Sequence, residues 1–411
     1  MEYTVSEHAL FPYFQPIVET ASGKIAGYEA LARRLNEQGE VVSAGAVFND
    51  PNLSWDERIQ ADRAVRYQAL AALPSLPEDT FLSLNLSPAW LNYLADMPAL
   101  PTVEMQETLG VDPSRVIIEI TELGGDLALL RSAVDRYRDA GFRIAVDDFG
   151  ADFSQLDRLS LLMPDIVKLD MKLLWDGLED ARNASMVQLL GEMASRMGAK
   201  VLCEGVETEA AFHLALSCNA YYTQGFLYSE ACAEPTPVDC FRQQLVGLRE
   251  CFRDMSLDSA VRNQWLAQKV TAALIGLREQ IRSGNFQTEL DLQHHHPASQ
   301  IIRFYVCDRL GNQISPNYEN ASGQWVRDDS ALGSNWSWRP YFVELLSSDI
   351  AEQRVLFSEP YHDIYAGELS QTAALPIDST RILLVDLCCS RMEQAAHSIN
   401  RGMRACSIPV S

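Results

Sequence analysis

Two adjacent aspartates, Asp147 and Asp148, follow an apolar run of Phe142, Ile144 and Val146 and precede Phe149 and Gly150. The apolar residues alternate with period two, the pattern of a strand. Gly150 lets the backbone turn sharply after it. Two carboxylates therefore fall at the C-terminal end of a strand. Adjacent carboxylates repel, and burying them is costly unless a positive partner sits close by. One or two metal ions would supply that partner. Taken alone, the same residues could simply open a surface loop.

Other acid and amide side chains fall at comparable places along the first 240 residues. They are Glu29, Asn85, Glu119 with Glu122, Lys168 with Asp170, Glu204 with Glu207, and Gln224 before Gly225. Each follows or ends a strand-like run. Hard oxygen donors at this density suit Mg²⁺ or Mn²⁺, and no cluster of cysteine and histidine competes for a softer metal. Two such ions about 3.5–4 Å apart are a common arrangement for phosphodiester cleavage.

The elements that must position these residues alternate between strand and helix. Strand patterns cover Tyr13 to Val18, Ile25 to Ala32, Phe81 to Leu86, Val116 to Ile120, Arg143 to Val146, Ile166 to Leu169, Lys200 to Cys203 and Ala220 to Tyr222. Helical spacing covers Trp55 to Leu73, a segment after Pro88, Thr102 to Leu109, Leu127 to Ala140, Ala181 to Met197 and Thr208 to Ser217. Repeated strand–helix units predict a parallel sheet. About eight strands in some 240 residues favour a closed (β/α)8 barrel, whose strand ends converge on one mouth.

At this density the motifs resemble the EAL family of cyclic di-GMP phosphodiesterases. Glu29-Ala30-Leu31 with Arg33 carries the signature. Gln15-Pro16-Ile17, Asn85-Leu86-Ser87, Glu119 to Glu122, Asp147 to Gly150, Lys168 to Asp170, Glu204 to Glu207 and Gln224 to Phe226 follow in the family's order over residues 8–240. The resemblance implies a TIM-like barrel with one antiparallel strand. It implies hydrolysis of cyclic di-GMP to linear pGpG, with Mg²⁺ or Mn²⁺ as cofactor in a two-metal site. A receptor that binds cyclic di-GMP with little or no turnover is the alternative.

The resemblance also implies roles. Glu29, Asn85, Glu119 and Asp147 would hold one metal, and Asp147, Asp148 and Glu204 the other. Lys168, with Glu204 and Glu29, would serve the chemical step by orienting the nucleophile and offsetting phosphoryl charge. An ion pair with a neighbouring carboxylate is the plainer reading of Lys168. Arg33 would grip a phosphate through its fork. Gln15, Gln224 and Asp148 would contact substrate, although either glutamine could be an ordinary rim amide. Glu122 and Glu207 would brace the ligands and the loop after Asp148. That loop departs from the family's Thr-Gly-aromatic continuation, reading Ala151-Asp152-Phe153-Ser154. Asp152 restricts the backbone and adds an anion near an anionic substrate.

The net charge of -23 disfavours DNA or RNA as a partner. An anionic substrate then needs metal ions or a local basic cluster. No 18-residue apolar run predicts a membrane span, and the first 15 residues do not read as a signal peptide. Nine scattered cysteines without a CxxC pair point to a reduced, cytoplasmic setting.

Residues 241–297 read as a linking helical region, with Leu266, Val270, Leu274, Leu277 and Ile281 at heptad-like spacing. That stripe suits either a paired helix in a homodimer or a helix packed on its own barrel. His294-His295-His296 reads as part of a polar linker. Residues 298–411 change to a strand-rich α+β pattern with a hairpin around Asp308 to Ile314 and a closing helix from Met392 to Arg404. The run Trp336-Ser337-Trp338-Arg339-Pro340-Tyr341 and the run Ser358 to Asp363 resemble the PAS/Cache-like sensor domain of YkuI-type proteins. That resemblance implies a small-ligand pocket using Trp338, Arg339, Tyr341 and Asp363, with the arginine on an anion. A structural pairing of Arg339 with Asp363 is the alternative.

Overall fold

The computed structural model describes residues 10–48, 50, 52–86, 99–121, 127–150, 156–283, 300–321, 324–347, 355–363 and 369–389. The segment after Pro88, Glu122, Asp152, the three histidines and the closing helix lie outside the described residues. The chain divides into two compact units, Met1–Arg253 and Asp254–Ser411.

The first unit is a closed barrel. Its strands are β1 (Phe11–Glu19), β2 (Ile25–Leu35), β3 (Val41–Ser43), β4 (Phe81–Leu86), β5 (Val116–Thr121), β6 (Arg143–Phe149), β7 (Ile166–Leu169), β8 (Lys200–Cys203) and β9 (Ala220–Thr223). They are ordered β1-β9-β8-β7-β6-β5-β4-β2-β3, and β1 pairs with β2 to close the ring. From β2 through β4 to β9 every neighbouring pair is parallel. β1 runs antiparallel to both β2 and β9, as the resemblance implied. β3 is a short hairpin extension of β2. The barrel is therefore eight strands with one added at the edge.

Local sequence explains the helices around it. The helix Trp55–Ala72 starts at a reciprocal cap: Ser54 accepts from the Glu57 amide, and Glu57 accepts from the Ser54 amide. The helix Pro101–Leu109 stops at Gly110, which takes the left-handed conformation at φ 64°. Leu82, Leu84, Ile118, Ile144, Val167 and Val201 alternate outward from the barrel strands onto these helices and are buried there. Ile17, Phe81, Ile117, Ala145, Ile166 and Leu202 form a separate apolar cluster. The barrel interior is packed by this cluster, and its mouth is polar. The sequence pattern did not show the helix Met171–Glu179, which precedes Ala181–Arg196.

The helix Arg242–Arg282 runs for 41 residues. Leu245, near its start, is buried in the core of the barrel unit. Val270, Leu274, Leu277 and Ile281 are buried against the second unit's sheet. This corrects the expectation of a helix packed on its own barrel: those four residues are covered by the second unit's sheet.

That sheet contains β10 (Ile301–Asp308), β11 (Asn317–Ala321), β12 (Gln324–Asp328), β13 (Leu356–Phe357), β14 (Tyr361–His362), β15 (Leu369–Pro376) and β16 (Arg381–Cys388). Its order is β12-β11-β10-β16-β15-β13, with β14 on β15, and all pairs are antiparallel. The turn after Asp308 exists, but the strand expected at Gln313 is reduced to one bridge with Cys307. The chain reaches β11 only at Asn317. Among the described residues no helix is long and apolar enough to cross a membrane.

Candidate active site

Register builds the mouth of the barrel. Gln15 lies opposite Glu29, Glu29 opposite Ser83, Asn85 opposite Glu119, and Thr121 opposite Asp147. Alternate residues of a strand face the same side. Ser83 and Asn85 thus share a face, and the acids of successive strands meet at the centre.

Lys168 sits at that centre, 1% exposed. Its Nζ lies 2.8 Å from Glu204 Oε1, 3.0 Å from Glu119 Oε2, 3.0 Å from Asp147 Oδ1 and 3.5 Å from Glu29 Oε2. Burial works against the ammonium, but Asp147, Glu119, Glu204 and Glu29 together hold its pKa well above the usual lysine value. The ion-pair reading of Lys168 therefore holds geometrically, and with four partners instead of one.

One lysine does not neutralise the acids. Burial, then the charges of Asp147 and Glu29, push the Glu204 carboxyl up to about 8 despite Lys168. Burial and the Glu29 charge likewise raise Glu119. Glu29 moves the other way. Burial opposes its charge, but Lys168 and hydrogen bonds from Gln224 and Asn85 outweigh burial and lower its pKa. Asp148 takes a left-handed backbone at φ 55°, which aspartate tolerates better than most residues. Burial, Asp147 and Asp170 raise its carboxyl to about 6.

The amides and the arginine expected in the site also contact protein groups. Asn85 Nδ2 donates to Glu29 Oε1 at 2.7 Å. Gln224, 4% exposed, donates to Glu29 Oε2 at 2.8 Å and to Gln15 Oε1 at 3.2 Å. Gln15 in turn donates to the Ser229 carbonyl at 3.4 Å. Arg33 is half-buried and donates to its neighbour's carbonyl, Ala32 O, at 3.1 Å. Burial lowers its pKa against the opposing charges of Glu29 and Glu230. Glu207 is exposed, one residue before the cap Thr208. The loop it was expected to brace, like Glu122, lies outside the described residues. Gly225 closes the mouth tightly: a Cβ there would stand 2.2 Å from the Val206 carbonyl oxygen.

The donor set fits divalent cations. Asp147, Asp148 and Glu204 offer carboxylate oxygens all within 4.8 Å of one another. The Asp147 Oδ1 atom is buried and, among the described residues, receives the Lys168 ion pair and no hydrogen bond. Buried Gln224 Oε1 has no hydrogen-bond partner among the described residues. Unbalanced buried negative charge and orphaned oxygens are what a hard cation would relieve. Sequence reasoning missed Ser83, whose Oγ donates to Glu119 Oε1 at 2.5 Å inside the barrel. Its place two residues before Asn85 was the available signal.

Residues 2–231 match the EAL domain family. The chain belongs to that family. Residues 261–397 match the EAL-domain associated signalling protein domain. The uncharacterized EAL-domain containing protein YkuI of Bacillus subtilis is 27% identical over 384 residues, spanning 92% of this chain and 94% of YkuI. The crystal structure of YkuI in complex with substrate c-di-GMP and calcium aligns with a TM-score of 0.80 at 27% identity, covering 93% of this chain and 96% of that one. PdeB of Escherichia coli, a probable cyclic di-GMP phosphodiesterase, is 32% identical over 230 residues, spanning 53% of this chain and 42% of PdeB.

Three of the four residues expected to line a second pocket fall around a cavity of about 720 Å³ in the second unit. Arg339, Tyr341 and Asp363 line it. Trp338 does not: it is 65% exposed, and Trp336 takes the place in the wall. The pairing considered for Arg339 is also corrected. Arg303, from β10, holds Asp363 and Asp386 instead.

Proposed function

We propose that this chain hydrolyses one phosphodiester bond of cyclic di-GMP to give linear pGpG, using divalent cations, Mg²⁺ or Mn²⁺. The observation that carries the reading is the convergence of Glu29, Glu119, Asp147 and Glu204 on buried Lys168, with Asp148 beside them. The cyclic di-GMP-bound YkuI structure supports the substrate, and PdeB supports the reaction class.

Glu29, Asn85, Glu119 and Asp147 would hold one cation, and Asp147, Asp148 and Glu204 the other. When bound, such ions activate water for in-line attack and offset phosphoryl charge. The chain's own part is positional. Asn85 and Gln224 fix both oxygens of Glu29. Ser83 fixes Glu119. Lys168 keeps its proton against burial and presents fixed positive charge to the reacting phosphate. Arg33, half-buried at the mouth, would take a substrate phosphate oxygen. The second unit would regulate the barrel.

The test is incubation of purified protein with cyclic di-GMP and Mg²⁺ or Mn²⁺, with products separated chromatographically. Linear product that disappears in Glu29→Ala supports the reading. Tight cyclic di-GMP binding with no product at any cation concentration would instead favour the receptor reading, which Asp152 in the loop after β6 motivates.

A further inference from the structure

We propose that the cavity of the second unit is a binding site for a small molecule carrying a protonated amine. The inference is independent of the hydrolytic reading of the barrel. The cavity's 720 Å³ falls within the span of small-ligand pockets, roughly 300–1,000 Å³. Tyr305, Trp336, Tyr341 and Tyr361 form aromatic walls. Asp363 and Asp386 stand among them, 4% and 2% exposed.

Charge decides the ligand class. Arg303 Nε donates to Asp386 Oδ2 at 2.6 Å, its Nη2 pairs with Asp363, and Glu319 lies 3.9 Å from its Nη1. One guanidinium thus faces three carboxylates. Over the whole lining, Glu319, Asp328, Asp363 and Asp386 oppose Arg303 and Arg339, four negative charges against two positive. Of these, Asp363 and Asp386 are the buried pair, set against the one guanidinium of Arg303, and a buried surplus of negative charge is costly until a cation offsets it. Aromatic faces attract cations as well. Burial, and behind it the charge of Asp386, raises the pKa of Tyr305, of Tyr361 and of Tyr341, the last to about 12. The three rings therefore lie in the field of one carboxylate, where an ammonium would be stabilised by both.

The opposite pole is Arg339. Its guanidinium lies 4.3 Å over the Trp338 ring and 5.8 Å from the Tyr361 ring centroid. Among the described residues no carboxylate pairs with it. A ligand with a carboxylate as well as an amine would engage both poles, and a simple amine only the acidic one.

Calorimetry and thermal denaturation of the full chain separate these cases, using n-butylamine, the twenty amino acids and butyrate as probes. Saturable binding of an amine-bearing probe, with no response to butyrate, is expected. Asp363→Asn and Trp336→Leu should each weaken it tenfold or more, and Glu29→Gln in the barrel should leave it unchanged. Arg339→Ala should weaken amino acids and spare n-butylamine. Butyrate binding without amine binding would overturn the proposal. So would silence from every amine-bearing probe at 10 mM, or a response that survives both cavity variants or is lost in Glu29→Gln.

Discussion

Replacing Lys168 with methionine removes the positive charge at the centre of the barrel mouth while keeping most of the side-chain volume. The lysine ammonium meets four carboxylates at 2.8–3.5 Å and is 1% exposed. Breaking a buried charge pair by removing one partner costs about 3–5 kcal/mol. In a unit of this size each kcal/mol moves the melting temperature by about 2–4 °C. Lys168→Met should therefore melt about 6–20 °C below the parent protein in EDTA. A divalent cation changes the comparison, because it offsets the same carboxylates and no longer competes with the ammonium. At about a hundred times its Kd, a cation adds roughly 2.7 kcal/mol to either protein. At a fixed Mn²⁺ concentration the variant binds more tightly and gains more. The penalty should shrink in Mn²⁺, and on the proposed function the variant should show no turnover of cyclic di-GMP. The assay is thermal denaturation of both proteins with EDTA and with a Mn²⁺ series. A variant that melts within 2 °C of the parent in EDTA would refute the charge argument. So would an equal penalty with and without Mn²⁺.

Other predictions follow from single contacts. Ser83→Ala removes the hydrogen bond to Glu119 and should weaken Mn²⁺ binding about 10–100-fold, read by calorimetry; unchanged affinity would show that Glu119 is held by other means. Gly225→Ala forces a Cβ to 2.2 Å from the Val206 carbonyl oxygen, so the barrel should lose several kcal/mol, about 3 or more, or fail to fold. Asp378 is held well below the usual carboxylate range: burial opposes this, but hydrogen bonds from Thr380 and Arg381 prevail. Its folded pKa lies below its unfolded value of about 3.9, so its stabilisation is fully present above that value and is lost as pH falls through the folded pKa. In urea denaturation the parent should exceed Asp378→Asn in stability at pH 7, with the gap closing only under strongly acid conditions; a gap that stays constant from pH 7 to pH 2 would contradict it.

Much of the barrel was legible because its signals are local. Period-two runs, glycine stops and the Ser54–Glu57 cap each need only a few neighbouring residues. Strand ends could be named from the chain alone, and in a closed barrel all such ends meet at one mouth. Glu29, Asn85, Glu119, Asp147, Lys168 and Glu204 were therefore readable as one candidate site from the chain alone. Their partners were not readable. Whether Lys168 touches one acid or four depends on the registers of β2, β5, β6 and β7 and on the end of β8, set by pairings up to 139 residues apart.

The second unit shows the same division more sharply. Its composition and strand pattern announced a change of fold near residue 300, and the aromatic run around Arg339 pointed to a pocket. The sequence alone could not say that Arg303 would take Asp363 and Asp386, because β10 meets β16 only through long-range antiparallel pairing. Nor could it choose Trp336 over Trp338, two residues apart with the same side chain, for the wall. The apolar stripe of Val270, Leu274, Leu277 and Ile281 likewise declared a buried helix face without naming what covers it. Hydrophobic periodicity states that a face must be buried, since burial of apolar area is non-directional. Only the tertiary structure supplies the partner, because register, ion-pair choice and packing are properties of residues far apart in the chain.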